Sequence, residues 1–274
     1  PKIVTAGNDS NIVYVFEIND EIAEPVWHNM QKAFAQAKEL NASTIVINMN
    51  TYGGGVVMAD SIRTTILRSK IPVYMLINNN AASAGALISI ACTKIYMTPG
   101  STIGAATVVT QDGAPAIDKY QSYFRSKMRA TAEVSGRDPD IAEAMVDQDI
   151  EIEGITEKGK LLTFTVSEAL KHNYCDKEVA TLQELLKEND LETSEVVHYK
   201  PSNIDNLISL LINPAVSGVL IMIMLGGIYF ELQSPGIGFP IAASALGAVL
   251  FFAPLYLEGM AENWEIVVFA IGIL

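Results

Sequence analysis

Basic residues are scarce and unevenly placed in this sequence of 274 residues. Lys and Arg number 18 against 31 Asp and Glu, which gives a formal net charge of −13, and neither occurs after Lys200. A protein that binds nucleic acid needs a basic surface to meet the phosphates, so this composition argues against a nucleic-acid partner. The rule that assigns membrane orientation counts Lys and Arg near the spans. Because almost none occur there, the orientation cannot be read from the sequence.

Histidine and cysteine are also few. The three histidines (His28, His172 and His198) and the two cysteines (Cys92 and Cys175) are scattered along the sequence. Their separations do not match those of metal-binding motifs, and two cysteines in a chain of this size need not be paired. We therefore expect no metal site and no cofactor.

Apolar residues, by contrast, are abundant and concentrated at one end. Hydrophobic residues make up 50% of the chain, and the mean hydropathy is +0.27. Residues 207–230 and 232–257 contain no charge, and each run exceeds the roughly 20 residues that a helix needs to cross a bilayer. A third apolar run, 266–274, is too short to span. The predicted organisation is a soluble domain over 1–195, a polar linker over 196–206, and a transmembrane region over 207–274 with two complete spans.

The amino-terminal part alternates short apolar runs with helical periodicity. The run 43–49 (STIVINM) is rich in β-branched residues, as is typical of a buried strand in a parallel sheet. Alternating strands and helices predict βαβ units in a layered α/β domain. The predicted strands are 11–18, 43–49, 73–77, 94–97 and 161–165. The predicted helices are 21–40, 58–69, 81–91, 117–135, 141–146, 180–188, and one that Ser167 caps and that continues to 171.

Three consecutive glycines follow the second predicted strand. They end the segment 50–55 (NTYGGG) and precede a predicted helix. Glycines permit positive φ and close approach of the backbone to a ligand, and backbone N–H groups aimed at an oxyanion lower the barrier to acyl transfer. The alternative is a tight turn between a strand and a helix, without a catalytic role.

A serine among small residues follows the third predicted strand. Ser83 lies in the segment 80–86 (NAASAGA), at the expected start of a helix. The helix dipole and the free N–H groups at such a position favour anions, and small neighbours leave room for a substrate carbonyl. Two interpretations remain: Ser83 is a nucleophile, or its side chain only caps the helix.

Taken together, these segments resemble the NfeD-type membrane-bound serine proteases of the Clp protease and crotonase superfamily. The resemblance rests on 48–62 (NMNTYGGGVVMADSI), 78–106 (NNNAASAGALISIACTKIYMTPGSTIGAA), 135–146 (SGRDPDIAEAMV), 161–176 (LLTFTVSEALKHNYCD) and the apolar runs. It implies a Clp-protease/crotonase-like layered βαβ domain followed by transmembrane helices.

The resemblance also implies a role for particular residues. Ser83 takes the position of the nucleophile, and the backbone N–H groups of Gly54 and Ala84 take that of the oxyanion hole. Strand residues beside the glycine loop would pair with an extended peptide. The glycine loop and the segment 98–106 would line the cleft, which makes Gly53, Gly55 and Gly104 the expected substrate-binding residues.

The base that activates the serine is less clear. The resemblance implies a Ser–Lys dyad, but the position that aligns with the family lysine holds Arg129, and arginine stays protonated. On the helix 117–135 the apolar face contains Ile117, Tyr120, Phe124, Met128 and Thr131, and Lys127 lies closer to this face than Lys119 does. Lys127 is therefore the first candidate base and Lys119 the second. Alternatively, either lysine is a solvated surface residue.

The implied function is a membrane-anchored serine endopeptidase that cleaves hydrophobic segments of membrane-associated proteins. The resemblance further implies a stomatin- or flotillin-like partner, a protease domain outside the cytoplasm, contact with membrane lipid, and a homo-oligomer. One alternative is a catalytically inactive adaptor of the same fold, which Arg129 favours. Another is an acyl-CoA enzyme, but the sequence shows neither the acidic catalytic residues nor the basic patch that such an enzyme would need.

Overall fold

The computed structural model describes residues 11–110, 112–233, 236, 238–257, 264, 267–268 and 271. The chain forms two compact units, Pro1–Tyr199 and Lys200–Leu274. The first unit alternates strands and helices in this order: β1 (Ile12–Ile18), α1 (Glu24–Glu39), β2 (Thr44–Thr51), α2 (Val56–Arg68), β3 (Val73–Ala82), α3 (Ala84–Ile90), β4 (Lys94–Met97), β5 (Thr102–Gly104), α4 (Asp118–Val134), α5 (Pro139–Ala144), β6 (Thr163–Thr165), α6 (Val166–Lys171), β7 (Lys177–Glu178), α7 (Leu182–Glu188) and β8 (Glu195–His198).

The strands form one mixed sheet. Its main path runs β6-β5-β3-β2-β1-β8, and β4 joins β3 to β7. All neighbours are parallel except β5 and β6. Parallel neighbours need crossover connections, and α1, α2 and α3 supply them between the first four strands. The carboxyl ends of β2 and β3 therefore meet at one edge of the sheet, which is where the glycine loop and Ser83 lie.

The core is layered on both faces of this sheet. Along β1, Tyr14 and Phe16 belong to a buried cluster that includes side chains of α1 to α6, whereas Val13 and Val15 belong to a second cluster that includes side chains of α7. This alternation follows from the two-residue period of a strand. Because both faces are covered, the central strands are apolar almost throughout, as parallel sheets require. The predicted layered α/β domain is confirmed.

Three local predictions differ from the structure. Strand β3 continues to Ala82, so α3 begins at Ala84 rather than near residue 81. Helix α6 is capped by Thr165 rather than by Ser167, because Thr165 and Glu168 form a capping box that satisfies two backbone donors at once. The segment predicted as a linker begins inside β8, where Val196 is aligned with Val13 of β1. The segment was predicted as a linker because its composition is polar, but it contains most of the edge strand β8.

The second unit begins with the short helix α8 (Asn203–Leu211) and continues with α9 (Pro214–Gln233) and α10 (Phe239–Leu257). Both α9 and α10 are long and apolar enough to cross a membrane. The first predicted span began at residue 207, but the helix starts anew at Pro214, a residue that the first turn of a helix tolerates. Most of the third apolar run lies outside the described residues.

The two long helices pack closely against each other. A Cβ added to Gly227 would lie 2.4 Å from the carbonyl oxygen of Pro240, and the Ser244 hydroxyl donates a hydrogen bond of 2.8 Å to the carbonyl oxygen of Met224. Small residues allow such close approach between membrane helices. Gly227 thus allows α9 and α10 to pack closely within this unit.

Candidate active site

Ser83 lies at the junction of β3 and α3 in a strained conformation. Its backbone has φ 54° and ψ −117°, a region that residues with a side chain rarely adopt and that costs about 1–3 kcal/mol. The Ser83 N–H donates to the carbonyl oxygen of Gly104 (2.9 Å), and the Ser83 carbonyl accepts from the N–H of Ala86 (3.0 Å). The hydroxyl makes no capping hydrogen bond to the helix. The interpretation of Ser83 as a simple helix cap is therefore wrong, and its side chain is left available at a sharp strand-to-helix turn.

The glycine loop lies directly against Ser83. Gly53 has φ 119°, and a Cβ added to it would lie 2.6 Å from Cβ and 3.0 Å from Oγ of Ser83. Gly54 has φ 152°, and a Cβ there would lie 2.3 Å from the carbonyl oxygen of Ile22. Only glycine fits at either position, for reasons of both conformation and space.

The loop is held in place by the segment that follows β1. The Ile22 N–H donates to the carbonyl oxygen of Gly53 (2.8 Å), and the Gly55 N–H donates to the carbonyl oxygen of Ile22 (2.7 Å). The buried Thr51 hydroxyl donates to the carbonyl oxygen of Asp20 (2.8 Å) and accepts from the Gly53 N–H (3.2 Å). Sequence reasoning missed Ile22 and Thr51; the available signal was a threonine two residues before the first glycine.

Two backbone donors near Ser83 are left without acceptors. Because Ile22 pairs with the neighbours of Gly54 in a parallel bridge, the N–H of Gly54 points away from that bridge. The N–H of Ala84 belongs to the first turn of α3, where helical N–H groups have no intrahelical partner. Within the described part of the chain, neither group donates a hydrogen bond. This arrangement can bind an oxygen anion.

A small cavity of about 60 Å³ adjoins Ser83. This is space for a few water molecules. Its lining is apolar apart from two hydroxyl groups and the backbone, and it contains no ionisable side chain. The lining residues are Gly54, Val56, Ser83, Ala84, Ala106, Thr107, Val108, Val109 and Phe124.

The structure places neither candidate lysine in this lining. Lys127 Nζ lies 2.9 Å from Oδ2 of Asp60 and 5.3 Å from the centroid of the Tyr123 ring. The hydrogen bond that Lys127 donates to Asp60 is the main cause that raises the pKa of Lys127 above its usual value, which works against a base at neutral pH. Lys119 is exposed and makes no hydrogen bond or ion pair with another residue that the structure describes.

Arg129, which was expected from the sequence to occupy the position of the family lysine, lies elsewhere. Its guanidinium group bonds to Glu143 and, at 3.0 Å, to Asp140, so it joins α4 to the α5 helix. These carboxylates raise the pKa of Arg129. Of the α4 side chains, it is Phe124 that lines the cavity beside Ser83. The predicted apolar face contained Phe124, but the pattern could not show which of its residues faces Ser83.

The remaining glycines differ in what they contact. Gly55 is the N-cap residue of α2, and Gly104 accepts the hydrogen bond from Ser83 while packing against the backbone at Leu162. Gly85, which sequence reasoning missed, lets α3 pack on β2, because a Cβ there would lie 2.8 Å from Cγ2 of Thr51. Among the residues that the structure describes, no group of His, Cys, Asp and Glu could hold a metal ion.

Comparisons with known proteins identify the family and the fold of this chain. A family model described as the N-terminal domain of NfeD1b matches residues 12–199, and one described as the NfeD integral membrane domain matches residues 215–274. The chain belongs to the NfeD family. Since the second match coincides with α9 and α10, this NfeD chain is an integral membrane protein.

Two curated relatives cover most of this NfeD chain. Membrane protein NfeD1b of Bacillus subtilis (strain 168) is 31% identical over 272 residues, which is 99% of this chain and 62% of that protein. Membrane-bound protease PH1510 of Pyrococcus horikoshii is 29% identical over 264 residues, which is 88% of this chain and 57% of that protein. The chain therefore spans less than two thirds of the length of either relative.

Solved structures of the Pyrococcus protein confirm the fold. A variant of the 1510-N membrane-bound stomatin-specific protease with a lysine replaced by alanine, in complex with a substrate peptide, matches with a TM-score of 0.64 and 29% identity over 74% of this chain and 98% of that one. A serine-to-alanine variant matches with a TM-score of 0.62 and 28% identity over 71% and 100%. This NfeD chain is thus homologous to a membrane serine protease.

Proposed function

We propose that this chain is a membrane-anchored serine endopeptidase with Ser83 as the nucleophile and the N–H groups of Gly54 and Ala84 as the oxyanion hole. The observation that carries the proposal is the backbone of Ser83. It adopts φ 54° and ψ −117°, leaves the hydroxyl free of the helix, and places it against Gly53. Strain of this kind persists where the surrounding structure enforces it, and it is concentrated at active sites.

The chemistry follows that of serine acyl transfer. Ser83 Oγ attacks the peptide carbonyl carbon while a base takes its proton, and the resulting oxyanion accepts hydrogen bonds from the two backbone donors. Expulsion of the amine, which receives that proton, leaves an ester on Ser83. Water then attacks the ester and releases the second product. Gly53, Gly55 and Gly104 are proposed to line the path of the substrate.

Lys127 is the proposed base, with Lys119 as the second candidate. Lys127 follows Phe124 by three positions on α4, so the two side chains are neighbours on the helix surface, and Phe124 lines the cavity. To act as a base, the amine must separate from Asp60 and lose its proton. This need predicts an alkaline pH dependence.

Exposed apolar side chains occur on the segments that contribute to the lining of the cavity, and they support a hydrophobic substrate. Tyr52 is 82% exposed, Val57 70%, Val109 56% and Tyr120 56%. Apolar groups of this size rarely cluster in the open without a binding role. We propose as substrate a hydrophobic segment of a membrane-associated protein.

The partner and the setting are proposed by analogy. The Pyrococcus relative is a stomatin-specific protease, and on that ground we propose a stomatin- or flotillin-like partner. Contact with membrane lipid, a homo-oligomeric state and a protease domain outside the cytoplasm remain predictions from the family resemblance.

A second candidate function is a catalytically inactive adaptor that binds a membrane protein without cleaving it. The observation that favours it is Phe124. The serine and the lysine that were replaced in the two Pyrococcus variants are separated by the same number of residues as Ser83 and Phe124 here. By that separation, phenylalanine stands where the relative has the lysine, and the lining of the cavity agrees.

Labelling by a fluorophosphonate probe distinguishes the two candidates. The full chain in detergent is treated with the probe alongside Ser83→Ala, Lys127→Ala and Lys119→Ala, with Ser126→Ala as a control at an exposed serine of α4. If the chain is a peptidase, the probe labels the parent protein and Ser126→Ala. It does not label Ser83→Ala or the variant in which the lysine that acts as base is replaced. If the parent chain does not label, with or without a stomatin-like protein, the adaptor function replaces the peptidase.

A further inference from the structure

Asp60 links the two helices that border the cavity beside Ser83. It lies on α2, which begins directly after the glycine loop, and its Oδ2 accepts a hydrogen bond of 2.9 Å from Lys127 of α4. The Tyr123 hydroxyl also approaches Oδ2, at 3.5 Å. The side chains of Asp60 and Lys127 are 25% and 27% exposed, so water screens the pair only in part.

A second contact runs parallel to the first. Arg63 Nε donates a hydrogen bond of 2.6 Å to the Thr131 hydroxyl, and Arg63 Nη1 lies 3.6 Å from Oδ1 of Asp60. Within the described residues, the polar contacts between α2 and α4 all pass through Asp60 and Arg63. These side chains therefore link two helices that also share the buried core containing Ile62 of α2 and Met128 of α4.

The space that these helices enclose is too small for a substrate. Val56 of α2 and Phe124 of α4 line the cavity, whose volume is about 60 Å³. Sites that enclose an organic ligand usually measure about 300 Å³ or more. The larger groove of about 470 Å³ that is lined by Gly53 and Gly54 has room for an extended peptide, so it is a side chain entering the small cavity that requires α2 and α4 to separate.

We propose that Asp60 is a positioning residue that holds the cavity beside Ser83 closed through its ion pair with Lys127, and that substrate entry separates this pair. The inference rests on the proposed peptidase function. The pair is suited to opening, because Oδ1 of Asp60 is buried and makes no hydrogen bond, and partly exposed ion pairs contribute little to stability.

Opening also changes the chemistry of the lysine. The ionisable groups that contact Lys127 are Asp60 from α2 and Tyr123 from α4, and Arg63 of α2 contacts the other carboxylate oxygen of Asp60. Once Asp60 is removed from contact, Lys127 loses the hydrogen bond and the negative charge that raise its pKa, so the neutral amine becomes more accessible. The same movement that admits the substrate thus prepares Lys127 to accept the proton of Ser83.

The experiment compares Asp60→Asn with Asp118→Asn, which removes an exposed carboxylate that pairs with Arg125 on α4. Ser83 in the full chain is labelled with a small and with a bulky fluorophosphonate, and the two rates are measured from pH 7 to 10. We expect Asp60→Asn to raise the rate with the bulky probe by about fivefold and the rate with the small probe by less. Asp60→Glu, which keeps the carboxylate, should restore the parental ratio of rates.

Different failures have different meanings. If both probes gain equally in Asp60→Asn, Asp60 affects only the basicity of the site and the closed-cavity proposal is overturned. If the parent chain labels and Asp60→Asn matches it with both probes, the proposal also fails, while the peptidase function stands. If neither protein labels, the peptidase function fails, and control of Ser83 by Asp60 fails with it.

Discussion

The two sides of the cavity beside Ser83 are built by different means. On one side, Ser83, Gly53 and Gly54 form a site from backbone geometry, with positive φ values at all three positions. On the other side, α4 presents side chains, and the residue that meets the cavity is Phe124. A backbone site leaves its mark on the sequence as glycines and small residues. A side-chain site depends on which way a helix faces, and several residues of one helix are equally plausible from the sequence.

The largest effect is expected where the backbone site is disrupted. Gly54→Ala forces a Cβ to within 2.3 Å of the carbonyl oxygen of Ile22, at φ 152°. We expect a loss of about 2–4 kcal/mol in the free energy of unfolding and at least a hundredfold slower labelling of Ser83. Gly55→Ala is the matched control for stability, because its Cβ would meet Ile22 at 3.6 Å with no positive φ. Chemical denaturation measures both variants, and equal losses would contradict the account.

Phe124→Lys tests the other side of the cavity directly. It places an amine in the apolar lining beside Ser83, where burial favours the neutral form. We expect labelling of Ser83 at pH 8 to rise at least tenfold, accompanied by some loss of stability from the buried amine. Phe124→Met, which keeps the position apolar, should show no such gain. Unchanged labelling in a folded Phe124→Lys protein would mean that a lysine at this position cannot activate Ser83.

The pH dependence of labelling tests Lys127 itself. Asp60 raises the pKa of Lys127, so the neutral amine becomes available only as the pH approaches or exceeds the usual lysine value of about 10.4. Labelling should therefore rise across pH 8 to 10, by nearly tenfold per unit, and Lys127→Ala should abolish this rise. The stability that the ion pair contributes has the opposite trend. It is complete below the usual lysine pKa and is lost as the pH rises through the raised value. A flat profile from pH 7 to 10 would exclude Lys127 as the base.

The smallest effect is expected at Arg129. Its guanidinium group joins α4 to Asp140 and Glu143, away from the lining of the cavity. Arg129→Gln should leave the labelling rate of Ser83 unchanged and lower the unfolding temperature by about 2 °C or less. Calorimetry and probe labelling of the same preparation check both. A large loss of labelling would indicate that Arg129 contributes to the active site.

The sequence predicted what depends on local pattern. The strand at 43–49 and the helix at 58–69 were predicted correctly because a β-branched run and a helical period are local signals, and the small residues around Ser83 indicated the strand-to-helix junction there. The role of Ser83 as nucleophile is a proposal that rests on the family resemblance and on this geometry. Strand β8 was missed because an edge strand needs no apolar run; Val196 and Val197 are only half-buried. The pairing of Lys127 with Asp60 was not predictable either, since it joins residues of two helices 67 positions apart.

Strand β8 also determines where this protein can be cut. It covers β1 along its outer edge, and the Tyr199 N–H still donates to the carbonyl oxygen of Val15 (2.8 Å). A truncation that ends at residue 195 would strip these bonds and leave β1 as an open apolar edge, the kind of surface on which chains pair and aggregate. A soluble fragment should therefore extend through Tyr199. Strand β8, which lies just before the membrane segments in the sequence, therefore keeps the edge of β1 from pairing with other chains.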